Sequence, residues 1–329
     1  SVHRQLVATV PDAQGPVVFI GMAETATGLG QGVFEAWAHA HPGSNPLYLQ
    51  STRYRVPGAD WLGFDESHSH APRLFLHLPQ RDADRATLAA ATQVVLVDDE
   101  LSTGNTFVNL VAALRRVMPA LSRVHIATIA DFTGDRRSLL SERMGIPCSI
   151  GGLLRGAWRF EHRHDAGPET LLTTSAAQCS AGHEVQISDA GYGLQERTTC
   201  VSLPKGLVER LAGEPVEGAT LVLGTGEFMH AAFALGRALE TRGVDVRVQS
   251  TTRSPILLWG AVGHILAVPD PYGEGVQNYL YNVRPGQYAR VLICHETAPN
   301  DPLMQLATIL GARLIHFTSD DHAEEIPVC

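Results

Sequence analysis

Asp98 and Asp99 are adjacent carboxylates at the end of the apolar run Val94-Val95-Leu96-Val97, and Ser102, Thr103, Gly104, Asn105 and Thr106 follow closely. These residue types suit a phosphorylated sugar. Carboxylates accept hydrogen bonds from a vicinal diol. The unpaired amides at a helix start carry partial positive charge and hold phosphate. Ser102, Thr103 and Thr106 add hydroxyl donors, and Gly104 lets the backbone approach closely. Diol acceptors on one side and phosphate donors on the other match ribose 5-phosphate.

The flanking elements must hold those groups in place. Four branched apolar residues read as a fully buried strand. Residues 109–118 repeat apolar groups at Leu110, Leu114, Val117 and Met118, which is helical spacing. Upstream, Pro16-Val17-Val18-Phe19-Ile20-Gly21 reads as a second buried strand. A small-residue loop over 22–32 and a helix around Val33, Phe34 and Trp37 follow it. Residues 47–52 and 74–78 suit strands, 84–91 a short helix, 124–130 a strand, and 153–160 a closing strand. Residues 53–72 contain Pro57, Gly58, Gly63 and Pro72 without a period, which predicts a long loop of the kind that forms lids. This alternation predicts an α/β fold with a parallel sheet and helices on both faces. Ligands in such sheets sit at the C-terminal strand edge, where Asp98 and Asp99 fall.

The run from Val94 to Thr106 resembles the phosphoribosyl-pyrophosphate signature of the type I phosphoribosyltransferases. That signature is a hydrophobic strand, two acids, a spacer and a Thr-Gly-Gly-Thr-like loop. Asp98 and Asp99 fall on the acids, and Ser102 to Thr106 fall on the 5-phosphate loop. Asn105 stands where Gly is commonest, and Asn tolerates the left-handed conformation better than most residues. The resemblance implies that Ala23, Glu24, Thr25 and Ala26, with Thr27, form the loop that holds pyrophosphate through its backbone. It also implies a flexible hood from 53–72. There Arg53 and Arg55 can clamp pyrophosphate oxygens. His68 and His70, beside Glu66, either act on the acceptor or its leaving proton or simply lie on a solvated loop. Mg²⁺ is the implied cofactor, with Asp98 and Asp99 as its protein ligands. The implied partners are phosphoribosyl pyrophosphate, ribose 5-phosphate, pyrophosphate and a nucleobase or nucleoside monophosphate, in a homodimer.

The second half predicts a smaller α/β unit. Leu221-Val222-Leu223 starts a strand, and Phe228, Ala232, Leu235 and Leu239 mark a helix ending near Gly243. Strands follow at 244–249, 289–294 and 314–317, with Asp301-Pro302 as N-cap and first-turn pair of a helix carrying Leu303, Leu306 and Leu310. Gly224-Thr225-Gly226 lacks the third Gly of a dinucleotide fingerprint and reads better as a tight turn. Thr252-Arg253-Ser254-Pro255 resembles the Thr-Arg-Ser-Pro motif of a domain found C-terminal to a phosphoribosyltransferase branch encoded beside tellurium-resistance stress genes. Arg253 between hydroxyls is a candidate anion ligand. Tyr272, Asn278, Tyr279 and Tyr281 either stack on a base or form a folded surface loop. The implied organisation is a transferase domain over 1–203 and a TRSP-like domain over 204–329.

A formal charge of −9 argues against a basic nucleic-acid surface. No apolar run is long enough to span a bilayer, and no signal-peptide pattern opens the chain. The five Cys, at 148, 179, 200, 294 and 329, form no Cys-x-x-Cys pair, so a reducing cytoplasm is the simplest setting. Fifteen His is many for this length; His68, His70, His77 and His125, and His39, His41 and His162, show no helical His-x-x-x-His ligand spacing, and most are expected at the surface. Two functional readings result. One is a transferase that makes the N-glycosidic bond of a nucleotide-like metabolite, or cleaves it with pyrophosphate. The other is a sensor that binds the sugar phosphate without chemistry.

Overall fold

The computed structural model describes residues 1–12, 15–65, 73–159, 161, 192–204, 206–319 and 322–327. The chain forms two compact units, Ser1–Phe160 with Leu194–Cys200, and Glu161–Gly193 with Val201–Cys329. Glu66, His68, His70, His162, Cys179 and Cys329 lie outside the described residues.

The first unit runs α1 (Val2–Val7), β1 (Val17–Gly21), α2 (Thr27–Ala40), β2 (Leu47–Thr52), β3 (Trp61–Asp65), β4 (Arg73–His77) and α3 (Asp82–Ala90). It continues with β5 (Gln93–Leu101), α4 (Asn105–Leu114), β6 (Arg123–Asp131), α5 (Leu140–Met144) and β7 (Cys148–Arg155). Its seven-stranded sheet has the order β3-β4-β2-β1-β5-β6-β7. β2, β1, β5, β6 and β7 are parallel, and β4 is antiparallel to both β2 and β3. The parallel strands read as unbroken apolar runs because both faces are covered. Phe19, Val95 and Val97 pack with Leu6, Val33, Phe34 and Trp37 on one face. Val18, Ile20, Leu96 and Ile126 pack with Leu88, Leu110 and Leu114 on the other.

Several boundaries differ from expectation. The small residues after Met22 are not a loop as far as Gly32, because α2 begins at Thr27. They are small because the helix presses on β1: a Cβ on Gly30 would stand 2.5 Å from the Cα of Gly21. The stretch 53–72 is not all loop, since β3 lies within it with Leu62 and Phe64 turned inward. Gly63 between them hid the alternation. α4 starts at Asn105, well before the periodic residues that predict it. The closing strand begins at Cys148 and stops at Arg155. His77 and His125 are buried, not at the surface.

The second unit contains α6 (Leu207–Gly213), β8 (Thr220–Gly224), α7 (His230–Glu240), β9 (Val246–Ser250), β10 (Ile265–Val268) and β11 (Asn278–Tyr281). It then runs through β12 (Arg290–His295), α8 (Asp301–Leu310), β13 (Arg313–Phe317) and β14 (Ala323–Ile326). Its five-stranded sheet has the order β14-β13-β12-β8-β9, parallel except for β14. β10 and β11 form a separate antiparallel ribbon. Asn300, not Asp301, caps α8, with its side-chain oxygen accepting from the Leu303 amide at 3.1 Å. His295 and His316 are buried here too, against the surface expectation for most His. Among the described residues no helix is long and apolar enough to cross a membrane.

Candidate active site

β1, β2 and β5 end side by side, with Gly21 paired to Gln50 and to Val97. That register brings three loops together. The Ala23 amide donates to Ser51 Oγ at 2.8 Å, which ties the loop after β1 to the end of β2. Thr25 Oγ1 donates to Asp99 Oδ1 at 3.1 Å, which ties the same loop to the acidic pair. The Ala23–Glu24 peptide bond is cis. Asp98 accepts from the Asp99 amide at 3.0 Å. Asp98 is half-buried and Asp99 exposed.

The loop after β5 leads straight into α4. Gly104 is the N-cap residue in the left-handed region, with φ 70°. That φ favours glycine, and a Cβ there would also stand 2.6 Å from Leu140 Cδ2, so Leu140 would have to shift. Asn105 therefore needs no left-handed tolerance, because it is the first helical residue. Its side chain braces the loop instead. The Asn105 Oδ1 accepts from Arg143 Nη2 at 2.6 Å, while Arg143 Nη1 donates to the Thr103 carbonyl at 3.0 Å. Thr103 Oγ1 accepts from the Asn105 amide at 3.3 Å, and α4 has no side-chain cap. The helix start thus has no side-chain cap and a guanidinium bracing the loop before it, an arrangement that suits an anion.

Arg53 follows β2 and lies next to the Ser51–Ala23 clip in sequence. Arg55 is held by Trp61, with its Cζ 5.2 Å from the ring centroid. That cation–π contact ties Arg55 to β3 of the β3–β4 hairpin. The hairpin is also tied to the phosphate side of the site, since Asn109 of α4 donates to the Asp65 carbonyl at 2.8 Å. His77 ends β4 of that hairpin, and its Nε2 accepts from the Val56 amide at 3.1 Å. Burial, and then the nearby Arg55, push its pKa down to about 4, so it is neutral.

Sequence reasoning missed Ser51 and Arg143. Ser51 carried a weak local signal, a hydroxyl at the end of a buried strand. Arg143 carried none, because its partner Asn105 is 38 residues away. In the second unit, Arg253 is nearly buried and pairs with Glu274 at 2.7 Å. Tyr279 and Tyr281 are buried in the ribbon, and the Tyr281 hydroxyl donates to the Ser254 carbonyl at 2.6 Å. These rings brace the Thr-Arg-Ser-Pro loop, and they are not an exposed loop.

Among the described residues there is no group of three His, Cys, Asp or Glu side chains able to hold a metal ion. A cation at Asp98 and Asp99 would thus take most of its ligands from a substrate and water, as Mg²⁺ commonly does.

Comparison with known proteins follows the two units. The family profile described as Phosphoribosyl transferase matches residues 1–157. The profile of the TRSP domain that lies C-terminal to that transferase matches residues 190–310. Among solved structures, the chain is similar to the adenine phosphoribosyltransferase of Rhodothermus marinus DSM 4252, at 15% identity and a TM-score of 0.32, covering 47% of this chain and 77% of that one. It is similar to the Giardia lamblia APRTase complexed with 9-deazaadenine, at 15% identity and a TM-score of 0.32, covering 48% and 78%. It is also similar to the adenine phosphoribosyl transferase of Trypanosoma brucei, solved with AMP, pyrophosphate and ribose 5-phosphate, at 12% identity and a TM-score of 0.30, covering 46% and 62%. No curated protein matches the chain. The two matched segments, in this order on one chain, show the architecture of a phosphoribosyl transferase domain followed by its C-terminal TRSP domain.

Proposed function

We propose that the transferase half, taken as residues 1–203 with the TRSP half as 204–329, uses phosphoribosyl pyrophosphate with Mg²⁺ and transfers the ribosyl phosphate to a nitrogen of a nucleobase-like acceptor. The same groups serve the reverse reaction, in which pyrophosphate cleaves a nucleotide. The observation that carries this reading is the convergence of three loops: Thr25 on Asp99, Ala23 on Ser51, and an uncapped α4 behind Gly104.

Each group has its own part in that reaction. Ser102, Thr103, Gly104, Asn105 and Thr106, with the α4 amides, seat the 5-phosphate. Asp98 and Asp99 accept from the ribose hydroxyls and face the positive charge that develops on the sugar ring as the leaving group departs. The backbone of Ala23, Glu24, Thr25 and Ala26 receives the pyrophosphate, and Arg53 balances its charge. Asp98 and Asp99 would hold Mg²⁺, which when bound would supply neutralisation of charge on the leaving pyrophosphate. A homodimer in the cytoplasm, serving a tellurium-linked stress response, is the setting that the resemblance of the motifs favours.

The test is pyrophosphate release from phosphoribosyl pyrophosphate with Mg²⁺ across purine, pyrimidine and pyridine acceptors, with the reverse reaction run on nucleoside monophosphates. Acceptor-dependent release or pyrophosphate-dependent cleavage is expected. Tight binding of phosphoribosyl pyrophosphate with no turnover in either direction would replace this reading with that of a sensor.

A further inference from the structure

The β3–β4 hairpin overhangs the end of the parallel sheet. Among the described residues, β4 pairs with β2 at two positions, Ser51–Leu76 and Thr52–Phe75, and β3 is the outermost strand. Thr52 is the last residue of β2, and Phe75 pairs with Gly63 as well. Phe64 and Asp65 of β3, with Leu74 and Arg73 of β4, therefore run on past the end of β2. That is the strand edge where Ala23 meets Ser51 and Thr25 meets Asp99.

What holds this overhang is α4. Leu62 and Phe64 bury in one core cluster with Phe107, Leu110 and Val111 of the helix. Asn109, in its second turn, donates from Nδ2 to the Asp65 carbonyl at 2.8 Å. Asp65 is exposed and ends the strand, so this bond is the last hold on it. Strand ends held in that way open locally, and here the docked and frayed arrangements differ by about one hydrogen bond.

The start of the same helix faces the phosphate loop. α4 has no side-chain cap, its N-cap Gly104 is left-handed, and Arg143 grips Asn105 at 2.6 Å. Asn105 and Asn109 are four apart, so they share a face of the helix one turn from each other. An uncapped first turn frays, and an anion on its amides firms it. A phosphate that firms the first turn thereby fixes the turn that carries Asn109.

We infer that Asn109 is a positioning residue that couples the 5-phosphate seat to the end of β3. Occupation of the seat holds the hairpin over the strand edge, and the docked hairpin tightens the seat in return. This coupling rests on the reading of residues 102–106 as the phosphate seat. Coupling between two equilibria is reciprocal, so both effects carry one factor. A single hydrogen bond limits that factor to about two- to tenfold.

The test is hydrogen exchange of the full chain with and without ribose 5-phosphate, beside a calorimetric titration with the same compound. In wild type, exchange should slow over 102–108 and over 61–65 together. Asn109→Asp keeps the shape of the side chain without its donor, and Asn109→Ala removes both. In either variant the protection over 102–108 should remain, while that over 61–65 drops by about two- to tenfold and the affinity falls by the same factor. A bond that only supports the fold would lower Tm and leave the ligand-induced protection and the affinity at wild-type values, and that result would overturn the coupling. So would wild-type protection confined to 102–108, which in a chain that turns over phosphoribosyl pyrophosphate would leave the transferase reading standing. No protection over 102–108 in wild type would overturn the seat and the coupling together. Matched losses in a chain without turnover would remove the transferase reading and leave the coupling.

Discussion

Asp99 is anchored from outside its own strand, by Thr25, whereas Asp98 is bonded to the neighbouring amide. Both bonds lie at the end of a strand whose core is Val94 to Val97, so loss of the two carboxylates should affect chemistry more than folding. Asp98→Asn with Asp99→Asn is expected to lower kcat/KM by about a thousandfold or more, the scale of losing a positioned electrostatic group. Circular dichroism and Tm should stay within the wild-type range, and unchanged turnover in the folded variant would refute the site. Arg143→Ala should raise KM for phosphoribosyl pyrophosphate several-fold with little change in kcat. Its guanidinium braces Thr103 and Asn105 and, among the described residues, makes no ion pair with an acidic group. His125 makes a separate prediction about pH. It bonds Ser149 at 2.9 Å and Thr9 at 3.1 Å, and burial, then Arg137, push its pKa down to about 4. The unfolded chain binds a proton there below its ordinary value of 6.5, while the folded one waits until about pH 4. Stability is therefore full above pH 6.5 and falls as pH drops toward 4, by about 1.4 kcal/mol per pH unit for each such His. Urea unfolding of His125→Gln should show a shallower slope across that window than wild type.

At the scale of elements, what was legible and what was not follows from how each element is held. β1, β2, β5 and β6 could be read directly, because strands buried on both faces have no choice but apolar runs. The acidic pair and the loop after it could be read because their chemistry sits in consecutive residues. The first turn of α4 could not, since Asn105 and Thr106 serve the site and only later residues show the apolar period. α1, α5 and β14 are short, and tertiary packing rather than local sequence decides them. The bond from Ala23 to Ser51 spans 28 residues, beyond the reach of any local pattern. Helix starts supply the test at this scale. Gly104→Ala should destabilise the first unit by about 1–3 kcal/mol, because φ is positive and Leu140 is in the way, and should weaken phosphoribosyl-pyrophosphate binding. Asn300→Ala should cost about 1 kcal/mol as a lost N-cap without touching that binding. Chemical denaturation beside a binding titration separates the two outcomes.

For the molecule as a whole, the likeness of the two sheets escaped sequence reading because what they hold in common is register, not composition. Parallel strands run β2-β1-β5 in one and β9-β8-β12 in the other, and the Gly226 amide donates to Thr251 Oγ1 at 2.9 Å as the Ala23 amide does to Ser51 Oγ. Gln50-Ser51-Thr52-Arg53 and Gln249-Ser250-Thr251-Thr252-Arg253 look alike, yet pairing aligns Gln50 with Ser250, one place off the visible match. Only the sheet shows which clip corresponds to which. The divergence between α4 and α8 then sets how a phosphorylated sugar distributes over the chain. An anion gains from an uncapped helix start and loses beside Asp301, so phosphoribosyl pyrophosphate should occupy the first unit alone. A ligand at about a hundred times its Kd stabilises the unit that binds it by about 2.7 kcal/mol. Hydrogen exchange in the presence of phosphoribosyl pyrophosphate and Mg²⁺ should therefore slow by about a hundredfold in the core of β1 and β5, while β8 and β12 keep their free-state rates. Equal protection of both sheets would show that α8 seats phosphate despite its cap, and that the charge at its first turn does not decide what the second unit accepts.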